Sequence, residues 1–172
     1  IACGLVVYKI ISYESGFNQF NKNYPNIYRL ISRLEPPGAG TILAEGQIHP
    51  LGGAIRNDFP GVVAAMTFYA NNGQISIENS NGTFDRYLEK EGLAYAEPQI
   101  FEIFDFNFLA GNPQTALVNA GSIVINSSLA QKYFNIKPGN ETDVLGKSIN
   151  INNKGTFSIT GVFADLPEPT DL

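Results

Sequence analysis

Three acidic residues near the middle of the chain are the first candidates for chemistry: Glu97, Glu102 and Asp105. Two carboxylates flanking a scissile bond are the machinery of glycoside hydrolases. However, Glu102 and Asp105 are interleaved with Ile and Phe, a pattern typical of the polar side of a short amphipathic turn. The sequence therefore favours a structural role for these carboxylates and keeps a hydrolase as an alternative.

His49 is the only histidine, and it precedes Pro50 at a predicted helix start. Protein metal sites combine His with Cys or carboxylate ligands, and a general base needs a nucleophile or acid within reach. The sequence singles out no such partner, and Cys3 is the only cysteine, which excludes an intrachain disulfide. We predict that His49 is structural or solvent-exposed, and that the chain has no catalytic, cofactor-binding or metal-binding residue.

Serine and glycine residues give no stronger signal. Ser122, Ser127 and Ser128 stand at predicted strand and helix ends, where capping explains them, and the Gly-x-Ser-x-Gly elbow of many hydrolases is missing from the sequence. The glycine-rich stretches 38–40 and 52–53 lack the lysine spacing and the strand-to-helix context of a phosphate-binding loop. A nucleotide site is therefore not predicted.

Composition predicts a folded, acidic protein. Of the 172 residues, 44% are hydrophobic and 12% aromatic, which is enough to form a packed core. The formal net charge of −5 argues against nucleic acid as a partner, because nucleic-acid binding requires a basic surface. The same charge argues against a polybasic patch that binds a membrane surface.

The pattern of apolar residues and turn residues predicts the elements that carry these side chains. In the first half we expect helices at 12–24 and 50–58, strands at 27–33 and 62–69, and a hairpin turn at 71–73 that pairs strand 74–78 back on the preceding strand. Short strands separated by a few short helices indicate an α+β fold with mixed short-strand sheets.

The second half is predicted to be rich in strands and turns. Strands are expected at 83–88, 93–96, 122–125, 148–151 and 156–163, and a helical turn at 98–104. Asn126, Ser127 or Ser128 can cap a helix that runs to Phe134. The aromatic residues from Phe101 to Phe108 predict either an exposed docking patch or a plug in the core, and their irregular spacing favours the core.

The first eleven residues are mostly apolar but include Lys9. A membrane-spanning helix needs about 20 apolar residues, so this stretch is too short to span a bilayer by itself. Three interpretations stay open: the outer end of a transmembrane helix, a buried element, or the remnant of a lipoprotein signal around Cys3.

The order and spacing of several short motifs resemble the periplasmic core domain of MacB/FtsX-type ABC transporter permeases, in the form common in Bacteroidetes. The motifs are Ile27-Tyr28-Arg29-Leu30, Phe59-Pro60, Tyr95-Ala96-Glu97, Ser122–Asn126, Leu145-Gly146-Lys147, Ile159–Phe163 and Asp165-Leu166-Pro167. Each motif is weak alone, and the chain departs from the pattern near its start, where Gly16-Phe17 replaces a usual Tyr-Asp pair and Asn21 a usual His.

The resemblance implies a division into lobes. Residues 1–11 would be the outer end of a transmembrane helix or the start of an excised domain. Residues 12–72 would form the first part of a porter-like lobe, 73–166 a β-rich inserted lobe, and 167–172 a truncated linker.

The resemblance also implies a function without catalysis. The domain would face the periplasm from the inner membrane and couple ATP hydrolysis in the cytoplasm to a periplasmic partner or an exported substrate. Implied partners are a second permease copy, a cytoplasmic ATPase on a separate or fused domain, and a periplasmic adaptor or lipoprotein. The alternative is a secreted or surface-anchored binding or adhesion module, and we expect no nucleic acid partner.

Overall fold

In a computed structural model of the chain, the residues that can be described are 2–38, 40–70, 72–79, 81–90 and 92–170. The helices in these ranges are α1 (Ala2–Glu14), α2 (Leu51–Asp58), α3 (Ile100–Ile103) and α4 (Ser127–Phe134). The strands are β1 (Ser32–Leu34), β2 (Ile42–Ala44), β3 (Thr67–Ala70), β4 (Gly73–Glu78), β5 (Phe84–Glu89), β6 (Leu93–Ala96), β7 (Phe108–Gly111), β8 (Ser122–Asn126), β9 (Ser148–Ile151) and β10 (Gly155–Phe163). Short 3-10 helices lie at Tyr24–Asn26 and Glu141–Val144. This content confirms the predicted α+β class.

A six-stranded sheet in the order β5-β4-β9-β10-β7 dominates the second half, with β8 on the other side of β10. The β8–β10 pair is parallel, and the other pairs in the sheet are antiparallel. Apolar and polar residues alternate in β4 and β9, so the isoleucines of these strands share one face and their polar residues the other. The apolar residues of β4, β9 and β10 are buried on one face: Ile75, Ile77, Ile149, Ile151 and Ile159.

Helix α4 and the 3-10 helix Glu141–Val144 contribute to the core that covers this apolar face. Ala130 and Tyr133 of α4, together with Val144, belong to the same buried cluster as the sheet isoleucines. The Asn126 side chain caps α4 by accepting a hydrogen bond from the backbone N–H of Leu129 at 3.0 Å, so Asn126 is the cap among the three predicted candidates. Helix α4 ends at Phe134, and the residue after it, Asn135, has a left-handed φ of 51°, which is common just after a helix.

Strands β7 and β10 approach each other so closely that two glycines are required. A Cβ built on Gly111, which has a φ of +85°, would lie 2.3 Å from the Thr160 carbonyl oxygen. A Cβ on Gly161 would lie 2.6 Å from the Phe108 ring. Only glycine combines the positive φ of Gly111 with so little space.

The remaining strands form two small two-stranded sheets, β1–β2 and β3–β6. Pairing of β3 with β6 corrects the prediction that 74–78 folds back on the preceding strand. Instead β4 pairs with β5 and β9, because its Ile75 and Ile77 are buried only in the core of the larger sheet. Asn71, in the predicted turn, lies outside the described residues.

The N-terminal helix also differs from its prediction. Helix α1 covers Ala2–Glu14 rather than 12–24, and turns follow through residue 20. Gly16 and the left-handed φ of 56° at Asn18 explain why the aromatic spacing of this segment does not continue as a helix. The predicted strands at 27–33 and 62–69 are shorter in the structure, and β2 and β7 were not predicted.

The predictions of α2, α3, β5, β6, β8 and the β9–β10 hairpin are confirmed to within a few residues. In the described ranges, no helix has the combined length and hydropathy needed to cross a bilayer.

The close approach of β7 and β10 predicts that Gly111→Ala destabilises the fold far more than Gly82→Ala. Gly82 also has a positive φ of +77°, but its Cβ would meet no described atom within 4 Å, so this variant isolates backbone strain of about 1–2 kcal/mol. Gly111→Ala adds the clash with Thr160, and we expect a loss of at least about 3 kcal/mol in the free energy of unfolding. Urea denaturation measures both, and equal losses would contradict this packing.

Candidate functional surfaces

Glu97 is part of a half-buried ion pair that holds α2 against the start of β3. Its carboxylate accepts hydrogen bonds from Arg56 Nη1 at 2.8 Å and Nη2 at 3.2 Å, in a two-pronged arrangement. The same carboxylate accepts from the backbone N–H of Met66 at 2.9 Å, and Arg56 also donates to the carbonyl oxygen of Ala64. The pair thus fixes a turn of chain between α2 and β3, which is a structural role.

The Arg56 hydrogen bond lowers the pKa of the Glu97 carboxyl, and it outweighs burial, which acts in the opposite direction. The backbone N–H of Met66 and the charges of Arg56 and His49 lower the pKa further. A general acid in a glycoside hydrolase requires a raised pKa instead. Glu97 therefore suits charge pairing rather than proton donation.

The other two acidic candidates have different surroundings. Glu102 is exposed on α3. Asp105 accepts a hydrogen bond from the backbone N–H of Lys22, while its own backbone N–H donates to Asn21 Oδ1 at 2.9 Å. Residues 21–22 and Asp105 therefore each supply both a donor and an acceptor. The two hydrogen bonds link residues more than 80 positions apart in sequence.

Asn21 is the central residue of this link. Its side chain is only 3% exposed, and its Nδ2 group also donates to the carbonyl oxygen of Asn18 at 2.8 Å. Asn18 in turn donates its backbone N–H to the Pro169 carbonyl at 3.1 Å and accepts from Thr170 Oγ1 at 2.8 Å. The segment that follows α1 is thus held on one side by Asp105 and on the other by residues 169–170. We call residues 15–22, Asp105 and 169–170 the junction.

The serine candidates all have structural partners. Ser127 Oγ donates to the buried carboxylate of Glu141 at 3.1 Å, and Ser128 Oγ donates to Asp165 Oδ2 at 2.7 Å. Ser122 is half-buried in β8, paired with Ser158 of β10. None of these arrangements includes the histidine base of a serine nucleophile.

Glu141 is a buried carboxylate that orders the loop after α4. Backbone N–H groups, its own first and then that of Gly139, lower the pKa of the Glu141 carboxyl, with Ser127 Oγ adding a smaller effect against burial. Gly139 N donates at 3.2 Å. The hydrogen bonds satisfy the charge and explain how an acidic residue can lie inside this part of the fold.

A second polar cluster ties the edge strand β5 to α4. Glu89 Oε1 accepts from Lys132 Nζ at 2.6 Å and from the Tyr133 hydroxyl at 2.8 Å. Burial of Glu89 raises its pKa, but the two hydrogen bonds together outweigh burial, so the pKa of Glu89 is lowered. Burial of Tyr133, assisted by its contact with Glu89, raises the pKa of Tyr133. The Tyr87 and Tyr133 rings pack with centroids 4.9 Å apart beside this cluster.

His49 is exposed, as predicted, and the described residues contain no group of three or more His, Cys, Asp or Glu side chains placed to hold a metal ion. The aromatic residues from Phe101 to Phe108 pack on each other. Phe101 meets Phe106 at 5.2 Å and Phe108 at 5.0 Å, and Phe106 meets Phe163 at 5.0 Å, all edge to face. These rings are half-buried, which supports the core interpretation over a docking patch.

Helix α1 presents apolar side chains on every side. Its large apolar residues are between 54% and 69% exposed: Leu5, Val6, Val7, Tyr8, Ile10, Ile11 and Tyr13. These positions cover the full circumference at 3.6 residues per turn. A helix that is apolar all round is normally buried in a protein or in a membrane. The exposure of this apolar surface of α1 to water alone is therefore unfavourable.

The chain is thus an α+β domain in which hydrogen bonds and an ion pair hold distant segments together. The apolar side chains of helix α1 are exposed. Residues 10–171 match the profile of the MacB-like periplasmic core domain. Since the match covers nearly the whole sequence, the chain belongs to this family.

Among solved structures, this chain is similar to a domain attributed to a permease protein of Porphyromonas gingivalis. The two are 28% identical, and they superpose with a TM-score of 0.54 over 71% of this chain. The matched part is about half, 52%, of the length of that structure. Among curated protein sequences there is no significant match.

Sequence reasoning missed the partners of the acidic residues. Arg56 belonged to no motif, and Asn21 stood out only as the replacement of a usual His. Their contacts could not be predicted because both join segments far apart in sequence, 41 residues in one case and 84 in the other. The one available signal was charge: Arg56 is a basic residue on a short helix whose neighbours are mostly apolar or small. That signal identifies a possible ion pair but not its acidic partner.

The ion pair predicts that Glu97→Gln destabilises the protein in a pH-dependent way. The folded-state pKa of Glu97 lies below the ordinary value of 4.5, so its stabilising contribution is present above that value and is lost as the pH falls through the folded-state pKa. Because the pair is partly exposed and screened, we expect a loss of about 1 kcal/mol in the free energy of unfolding at pH 7, or a melting temperature about 2–4 °C lower.

Thermal melts of Glu97→Gln and of the exposed control Glu102→Gln, at pH 7 and at successively lower pH, measure this effect. The difference between Glu97→Gln and the wild type should shrink in acid, and the control should stay close to wild type throughout. Equal losses in the two variants, or a loss that does not change with pH, would exclude the ion pair as the cause.

Proposed function

We propose that this chain is the extracytoplasmic domain of an ABC transporter permease that transmits movement between membrane helices and a periplasmic partner. The observation that carries the proposal is family membership over residues 10–171, with the similarity to a permease domain as support. ATP would be hydrolysed by a cytoplasmic ATPase, and the domain would face the periplasm from the inner membrane.

The exposed surface of α1 supports an attachment to the membrane. Its thirteen residues extend about 20 Å at 1.5 Å per residue, against a hydrocarbon core of about 30 Å. Helix α1 would thus be the outer part of a longer helix, covered by lipid or by neighbouring transmembrane helices. Lys9, the one charged residue before Glu14, can extend its ammonium group to the interface.

The junction supports a mechanical role, because it lies directly after α1. A displacement of α1 acts first on residues 15–22, and these are bound to Asp105 and to 169–170. Asp105 stands between α3 and β7, and β7 pairs with β10 of the large sheet. Movement of α1 can therefore pass to the sheet as a rigid-body displacement, which is a common form of coupling.

In this proposal the sheet residues 73–166 form the β-rich inserted lobe and residues 12–72 the first part of the porter-like lobe. Strand β3 lies in the first of these two lobes and β6 in the inserted lobe, so backbone hydrogen bonds between β3 and β6 would join the two lobes directly. In the parent permease, two copies of the domain would face each other in a dimer, and a periplasmic adaptor or lipoprotein would bind them.

Removal of residues 1–11 tests the role of α1. Since the apolar side chains of α1 are mostly exposed, the shortened chain should keep its melting temperature to within a few degrees and should bind less detergent. Differential scanning calorimetry and light scattering in dodecyl maltoside measure the two properties. A large loss of stability would show instead that α1 is a buried element of the fold.

Asp105→Ala tests coupling through the junction in the full-length permease reconstituted with its ATPase. We expect ATP hydrolysis to continue, while the ATP-dependent change in distance between spin labels on the two copies is lost or strongly reduced. The labels are placed at Lys137→Cys, an exposed position after α4, in a Cys3→Ser background.

Asp143→Ala is the matched control, because Asp143 is an exposed aspartate in the 3-10 helix Glu141–Val144. It should keep both hydrolysis and the distance change. If the Asp105→Ala variant moves like the wild type, transmission through the junction is refuted. If the wild type itself shows no ATP-dependent change, the proposed function fails as a whole.

A further inference from the structure

The face of the six-stranded sheet that points away from the core carries a row of polar side chains. Ile75 and Ile77 of β4, and Ile149 and Ile151 of β9, are buried in the core. Because successive residues of a strand point to opposite faces, Ser76 and Asn150 lie on the other face. Tyr87 of β5 packs against the core, which places its neighbour Arg86 on the same outer face as Ser76.

Strand register brings these three residues side by side. Ser76 is paired directly with Arg86 on one side and with Asn150 on the other. They line a pocket of about 310 Å³ together with Phe84 and Asn153. Asn153 comes from the β9–β10 turn, where it has a positive φ of 53°. Five residues from three neighbouring strands, β5, β4 and β9, and from one turn thus line a single depression.

Two of the residues that line this pocket each have a buried polar atom without a hydrogen-bond partner among the described residues: Ser76 Oγ and Asn150 Oδ1. Ser76 is only 4% exposed. The amide nitrogen of Asn150 donates to Thr156 Oγ1 at 3.3 Å, which orients the side chain and leaves its oxygen as the open acceptor. Buried polar atoms are nearly always satisfied in folded proteins, so two such atoms in one pocket indicate that something else supplies their partners.

The rim of the pocket adds a positive charge and an apolar surface. Arg86 is exposed and makes no ion pair with a described residue within 4.0 Å. The Phe84 ring is 51% exposed. The exposed carboxylate of Glu78 is on the same face, opposite Phe84, but does not line the pocket. The negative charge of Glu78 disfavours the binding of anions with more than one negative charge.

We propose that this pocket binds a small ligand with one carboxylate next to a hydroxyl or amide N–H donor. The Arg86 guanidinium matches a carboxylate in a two-pronged pair, and Ser76 Oγ can donate to the same group. The neighbouring donor of the ligand satisfies Asn150 Oδ1, and its carbon skeleton packs on Phe84. The volume is near the lower end for ligand sites, which fits a single amino-acid or sugar-acid unit.

Both unpartnered atoms are shielded from solvent in this conformation. A ligand therefore reaches them only if a side chain that covers them changes rotamer. Arg86 and Phe84, which line the same pocket, are exposed, and exposed side chains change rotamer within nanoseconds. Every residue of the pocket belongs to this chain, so binding of the ligand does not require the partners named in the proposed function.

Nuclear magnetic resonance titration of the isotopically labelled chain tests the proposal. The probes are N-acetylalanine and glucuronate, which present the same chemistry from an amino-acid and a sugar source. Their uncharged counterparts, N-acetylalaninamide and glucose, are the controls. We expect saturable shifts of the Ser76, Arg86 and Asn150 amide signals with at least one carboxylate probe and not with its counterpart. The probe that binds identifies the source, and two binding probes indicate general carboxylate recognition.

Two variants with matched controls complete the test. Arg86→Gln should weaken binding about tenfold or more, whereas Arg33→Gln, which removes a distant exposed charge, should not. Ser76→Ala should also weaken binding without lowering the melting temperature, since it removes an unsatisfied hydroxyl; Ser148→Ala, an exposed serine of β9, is its control. The proposal is overturned if neither probe binds at millimolar concentration, or if binding is insensitive to both pocket variants.

Discussion

Strand β10 is the element on which the architecture of the second half depends. Its nine residues pair with three other strands, antiparallel to β7 and β9 and parallel to β8. The approach of β7 requires Gly111 and Gly161, because a side chain at either position would overlap its neighbour. Ile159 and Val162 of the same strand are fully buried, so backbone pairing and core packing depend on the same short stretch.

Polar contacts also join segments of this chain that lie far apart in sequence. Glu97 fixes the turn between α2 and β3 through Arg56, and Asp105 fixes the segment after α1 through Asn21 and Lys22. The Arg56 donors lower the pKa of Glu97, and the backbone N–H of Lys22 holds the Asp105 carboxylate in position. These acidic residues thus hold together segments that are distant in sequence.

Local sequence patterns predicted the parts of the fold that depend on neighbouring residues. The β9–β10 hairpin follows from its alternating apolar residues, and α4 follows from a capping residue and an apolar face. The pattern failed where distant contacts decide the outcome. The pairing of β3 with β6 and the link between Asn21 and Asp105 join segments distant in sequence, and no local spacing records such contacts. The polar row of Ser76, Arg86 and Asn150 was missed for the same reason, since register alone brings it together.

Strand β5 is at one end of the large sheet, and no described strand pairs with its outer side. Such an edge can template pairing with another molecule, particularly with Phe84 and Leu88 exposed along it. The same strand carries Asp85 and Arg86, whose exposed charges would lose hydration if a second strand approached. These charges therefore oppose the pairing of this sheet edge with a second copy of the chain.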